Sequence, residues 1–230
     1  MDISYFFRYQ TDGVHNISML LARLLFCVGM LVAYQYRHHK CLLDITLYLG
    51  LFLQVVMFIW YAGDQSLFLK EGLPFYHCRL SACMLVVCHL LHKPKLERYF
   101  AWLGLLGACI AFIFPDPCRF LWPHITNITY VGTHVLLSMS SLMILMDKKT
   151  MLSIRDILTV TGMMNLGLSI VNRLIQSNYG YLQELPKMFP FHFSAVTLYF
   201  VLTILITILI AMMEMTSYLI RKVDFRHDVN

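Results

Sequence analysis

Seven apolar segments, each near the length that crosses a bilayer, occupy most of this 230-residue chain and leave only short polar connections between them. They fall at 16–36, 41–62, 75–91, 96–114, 128–146, 151–175 and 193–220, and about 20 apolar residues in helical conformation span a hydrocarbon core. Hydrophobic residues make up 59% of the sequence and charged residues 13%, with a mean hydropathy of +0.65. That composition needs lipid as its solvent. None of the segments alternates with a period of two, so a membrane barrel is excluded and helices, which satisfy their own backbone in hydrocarbon, are expected. The expected fold is all-α: a polytopic membrane protein with seven transmembrane helices in one domain over residues 1–230, and no cleaved signal.

Charge sets the expected orientation. The connections after the first, third and fifth segments, with the tail, carry Arg37, Lys40, Lys93, Lys95, Arg98, Lys148, Lys149, Arg155, Arg221, Lys222 and Arg226. The opposite side carries Arg8, Lys70, Arg79, Arg119, Arg173 and Lys187. The positive-inside rule then places the N-terminus outside and the C-terminus in the cytoplasm of a multi-pass protein of the cell membrane. Basic turns facing an anionic leaflet account for the net charge of +5 without a nucleic-acid partner; membrane lipids are the expected partners.

The unusual polar residues gather toward the side opposite the basic turns. In Leu73-Pro74-Phe75-Tyr76-His77-Cys78-Arg79, proline suits a first helical turn, which places Cys78 near a helix N-terminus. There the helix dipole, His77 and Arg79 favour the nucleophilic thiolate. A packed, inert cysteine, or a disulfide with Cys118, is the alternative reading. A proline-stiffened loop carries Phe114-Pro115-Asp116-Pro117-Cys118, then Trp122-Pro123-His124 and Asn127. Asp116 is a candidate to orient a histidine, His124 a candidate acid or base, and Trp122 an interfacial anchor. On the fifth segment Tyr130, His134, Ser138 and Ser141 share one helical face. A histidine at that depth is a functional candidate by default. The sixth segment carries Thr161, Asn165, Ser169, Asn172 and Gln176 along one face, then Asn178, Tyr179 and Tyr181. Such a stripe either joins helices or lines a wet cavity, and its rising density toward one end favours the cavity. Arg23, in the first segment, is a candidate for a lipid phosphate.

The order Leu73-Pro74 to Cys78, Phe114-Pro115-Asp116, Pro123-His124, His134, and Asn172 to Asn178-Tyr179-Gly180-Tyr181-Leu182 resembles the bacterial YwaF family of integral membrane proteins. The resemblance runs from about residue 73 to 186. That family is similar to the eukaryotic transmembrane protein 164 family of cysteine-dependent acyltransferases that make polyunsaturated ether phospholipids. The resemblance implies that Cys78 matches the acyltransferase cysteine and His134 its membrane histidine.

The leading expectation is therefore a lipid acyltransferase or transacylase without a cofactor, in which Cys78 attacks an ester and His134, or His124, takes its proton. Asp116 supports the catalytic groups. His77, Arg79, Asn127, Asn165, Asn172, Asn178, Tyr179, Tyr181 and Arg23 contact the substrate. A metal-dependent hydrolase using His77, His124, His134 and Asp116 is the first alternative. A non-enzymatic lipid or small-ligand binder is the second.

Overall fold

The computed structural model describes residues 3–14, 16–147, 150–186 and 190–227, with the side chains of 147 and of 221–227 left aside. The basic residues Lys148, Lys149 and Lys187, and the side chains of Arg221, Lys222 and Arg226, on which the orientation partly rests, lie outside that description. The described residues are helical, without strands. The helices are α1 (Ile3–Phe6), α2 (Met19–Gln35), α3 (Lys40–Ala62), α4 (Gln65–Leu67), α5 (His77–Leu90), α6 (Pro94–Ile113), α7 (Ile125–Asp147), α8 (Ile154–Ile175) and α9 (Ala195–His227), with a π-helical turn at Phe68–Gly72 and a 3-10 turn at Tyr179–Tyr181.

Among the described residues five helices are long and apolar enough to cross a membrane: α3, α6, α7 to Met146, α8, and α9 to Ile220. Gln65–Gly72 and His77–Leu90, bent by 76° at their junction, make a sixth if counted as one span. Met19–Gln35 is apolar but only 17 residues long. This is a multi-pass helical membrane protein.

The expected third span, 75–91, forms the shorter helix α5, and a break in the chain precedes it. Gly72 packs so closely under Tyr61 that a Cβ there would lie 2.6 Å from the tyrosine Cβ. Leu73 then runs extended, as a residue before proline prefers, and α5 starts only at His77. At 14 residues α5 is too short to span by itself. Local signals fix the other ends. Ser18 caps α2, Pro94 opens α6, and Ser153 with Asp156 forms a reciprocal capping box at α8.

The chain divides into two compact units, 1–148 and 149–230. In the first, α6 is the most buried helix, with Tyr99, Phe100, Ala101, Trp102 and Leu103 all enclosed. Small residues let its neighbours approach: a Cβ on Gly104 would meet Leu137 of α7, and one on Gly107 would meet Cys78 of α5. Gln54 of α3 donates to Thr133 of α7 at 3.0 Å, sealing another seam. Leucines 20, 21, 24 and 25 of α2 stay exposed, as a lipid-facing surface requires.

In the second unit the polar stripe of α8 faces α9 and its own following loop. Asn165 Nδ2 donates to Thr203 Oγ1 at 3.0 Å. Asn172 donates to the Tyr179 carbonyl and accepts from the Tyr179 amide and Ser177 hydroxyl, all at 2.8 Å. Asn178 accepts the Gln183 and Glu184 amides and donates to the Glu184 carbonyl. Where the stripe's density suggested a wet cavity, these amides join helix to helix and knot the loop after Gln176, whose φ of 54° ends the helix in the left-handed region. Tyr179 is fully buried in that knot.

Candidate active site around Cys78

Because α5 begins late, Cys78 in its first turn lies level with Gly107 of α6. A Cβ at Gly107 would stand 2.6 Å from Cys78 Sγ. Gly107 precedes the end of α6 at Ile113 by six residues, or about 9 Å along the axis. The broken span thus carries a helix N-terminus, with its free backbone N–H groups, down to the level of the thiol.

The Arg79 guanidinium is fixed beside it. It donates to the Glu71 carbonyl and lies over the rings of Tyr61 and Tyr76, at 5.2 and 5.4 Å. From there it interacts electrostatically with Cys78, His134 and Cys118. The Tyr61 hydroxyl lies 3.6 Å from Cys118 Sγ and donates to Glu71 at 3.4 Å. Cys78 and Cys118 are both free thiols. Ser81, one turn beyond Cys78, is fully buried with its hydroxyl unpartnered.

His134 approaches the same stretch of α6 from α7. Its Nδ1 lies 2.7 Å from the Tyr130 carbonyl. A carbonyl only accepts, so Nδ1 carries the hydrogen and the neutral ring keeps its lone pair on Nε2. The imidazole stands edge-on to Phe112, centroids 6.0 Å apart, and against Tyr130 at 4.8 Å. The Tyr130 hydroxyl donates to the Ala111 carbonyl at 2.7 Å and receives the Asp116 amide. Cys78, Tyr130 and His134 therefore all meet the last two turns of α6. No hydrogen bond joins Cys78 to His134.

The other expected residues are placed differently. His124 is fully buried, its Nδ1 accepting the Thr126 amide and its Nε2 donating to the Arg8 carbonyl at 2.9 Å. It stacks on Phe120 at 3.8 Å. With both nitrogens engaged it clamps the N-terminal segment to the 115–124 loop, and that geometry leaves no lone pair for a base. Asp116 is exposed at the rim, beside Tyr130 through its backbone. His77 opens α5 next to Cys78. Asn127 donates to the Phe120 carbonyl at 3.3 Å, and its buried Oδ1 has no partner. Arg23 donates through Nε to the Phe112 carbonyl at 2.9 Å. Asn165, Asn172, Asn178, Tyr179 and Tyr181 belong to the second unit. Among the described residues no group of three His, Cys, Asp or Glu side chains is disposed to hold a metal ion.

A second polar centre, unforeseen in the sequence, lies at the opposite end of α5. His89 is held between Glu97 Oε1 of α6 at 2.9 Å and Asp44 Oδ1 of α3 at 3.3 Å. Arg98 is fully buried, donating to the Leu145 carbonyl near the end of α7 and lying 5.7 Å from the Trp102 ring. Arg98, counted with the basic residues after the third segment, is thus a buried residue of α6. The i, i+1 pair Glu97-Arg98 inside an apolar helix was the available signal, since buried charges are paired.

The sequence profile of the TMEM164 family matches residues 9–214. That match covers most of each unit, and the chain belongs to the TMEM164 family. Neither the curated proteins nor the solved structures compared with it gave a match.

Proposed function

We propose that this TMEM164-family protein is a membrane-embedded lipid acyltransferase or transacylase in which Cys78 is the nucleophile and His134 the base. The observation that supports it most is the convergence on the end of α6: a thiol in the first turn of a broken span, a fixed guanidinium beside it, and a histidine whose tautomer leaves Nε2 unprotonated. On the order of motifs from residue 73 to 186 we group the chain with the YwaF-type members. We further read seven crossings, with α2 and the bent 65–90 segment counted, the N-terminus outside and a location in the cell membrane.

In this mechanism the Cys78 sulfur attacks the carbonyl carbon of a lipid ester while its proton passes to His134 Nε2. Transfer during attack avoids holding a free thiolate in an apolar site. The oxyanion forms next to Arg79 and the first-turn amides of α5; one such donor contributes roughly 3 kcal/mol in known sites. Collapse expels the alcohol of the first lipid, which takes the proton from His134 and leaves an acyl-Cys78 thioester. A second alcohol, deprotonated by His134, attacks that thioester, receives the acyl group and regenerates the thiol.

The test is acyl transfer between labelled phospholipids by the purified protein in vesicles. Cys78→Ala is expected to abolish transfer, and His134→Ala to slow it roughly 100-fold or more. Full transfer by Cys78→Ala refutes the mechanism.

A further inference from the structure

Two arginines flank the region where Cys78 and His134 meet α6, and they differ in how much of each guanidinium is already engaged. Arg79 is held by the Glu71 carbonyl and two tyrosine rings. Arg23 is bonded only through Nε, to the Phe112 carbonyl, and no other bond to it occurs among the described residues. Phe112 lies in the last turn of α6, so that bond puts a cation at a helix C-terminus, where it is favoured, and fixes the plane of the guanidinium. The ring of the same Phe112 packs on Phe26 at 5.1 Å and on His134 at 6.0 Å. One residue thus separates Arg23 from the histidine.

Around Arg23 the surface of α2 is apolar: Leu20, Leu21, Leu24 and Leu25 are exposed beside it. A permanently charged side chain there is costly in lipid unless an anion meets it. A guanidinium fork with its terminal N–H groups unengaged matches two oxygens of a phosphate. In a glycerophospholipid, the phosphate and the carboxylic ester are joined through a single glycerol unit, a spacing comparable with the one residue between Arg23 and His134.

We propose that Arg23 binds the phosphate of the lipid whose ester is presented to Cys78, and so selects phosphate-bearing lipids over neutral glycerides. This rests on the acyltransferase reading for the role of the ester, but phosphate recognition is measurable without turnover.

The experiment follows alkylation at Cys78 by a maleimide, quantified on the Cys78 peptide, using full-length protein in a maltoside detergent. Three additions are compared: dihexanoylphosphatidylcholine, dihexanoylglycerol and inorganic phosphate. Each variant's rate without addition is its own reference. In the wild type the phospholipid is expected to slow alkylation at concentrations where the neutral glyceride and inorganic phosphate do not. Arg23→Gln should need roughly tenfold or more phospholipid for the same protection, as loss of a charged hydrogen-bonding partner implies, with Arg23→Lys intermediate. Equal protection by phospholipid and glyceride in the wild type overturns the proposal, and does so without any variant having to fold. So does undiminished protection in Arg23→Gln. Protection by inorganic phosphate alone would mean a free-anion site and overturn the lipid assignment. Failure of the acyltransferase reading shows elsewhere, as transfer that survives Cys78→Ala.

Discussion

At the His89 end of α5, an imidazole lies between two carboxylates from two other helices, and a buried arginine next to one of them donates to the Leu145 carbonyl of a third. At the Cys78 end, the histidine uses one nitrogen, and the hydroxyl of Ser81 lies buried without a bond. Burial makes an unsatisfied polar group costly. The closed centre ties α3, α5, α6 and α7 together; the open one leaves the second nitrogen of His134 and the Ser81 hydroxyl unbonded. The difference suggests that the first centre holds the helices in register so that the second can remain unsatisfied, a division common where strain collects at functional sites.

The comparison is broken most directly at its closed end. Glu97→Ala removes the carboxylate that, at 1% exposure, faces His89. It is expected to lower stability by about 3 kcal/mol, the low end for deleting one partner of a buried pair, because His89 is itself part-exposed. Thermal unfolding in detergent reads this, with Cys78→Ala alongside as a variant expected to melt near the wild type. Equal losses from the two substitutions would erase the distinction between the ends.

Gly107→Ala probes the open end. The added methyl would stand 2.6 Å from Cys78 Sγ, so the thiol or the helix must shift. Overpacking of this kind costs roughly 1–3 kcal/mol, and here it should also change the alkylation rate at Cys78 relative to the other cysteines. A wild-type rate would show that the sulfur does not rest on α6.

The smallest expected effect concerns the rim of the open end under acid. Burial lowers the pKa of His124, and the Arg8 side chain, then the Leu121 amide, lower that of Asp12. Both groups therefore bind protons more weakly folded than unfolded. Their stabilising contributions are present at neutral pH and fade as pH falls, His124's beginning near its ordinary pKa of ~6.5 and Asp12's near ~3.9. The melting temperature should fall between pH 7.5 and 5.5, and fall less in His124→Gln. A melting temperature that rises on acidification would contradict this assignment.

Much of the fold was legible because lipid imposes a simple rule: apolar runs at 41–62, 96–114 and 151–175 became α3, α6 and α8 with ends shifted by at most three residues. The break before His77 was less legible. Pro74 predicts the opening of a helix, whereas Gly72 under Tyr61 is a tertiary contact with no local sequence signature. Cys78 and His134 could be singled out because reactive side chains in apolar segments are rare. That both rest on α6, Cys78 at Gly107 and His134 at Phe112, is set by packing and has no local sequence signal. The asparagines of α8 show the opposite limit: composition showed that the stripe avoids lipid, but Thr203 and the Tyr179 backbone, its partners, are set by packing.

The hydrogen that stands in for a side chain at Gly107 also limits the space around the sulfur. Cys78 Sγ rests against α6 at Gly107 on one side, so a group bonding to that atom approaches from a side that α6 does not occupy. A thioester formed there would have its carbonyl pointed away from α6 from the moment it exists, and an incoming alcohol would meet one face of it only. Under the proposed mechanism, the two lipids would then share one side of the sulfur, the first withdrawing before the second enters.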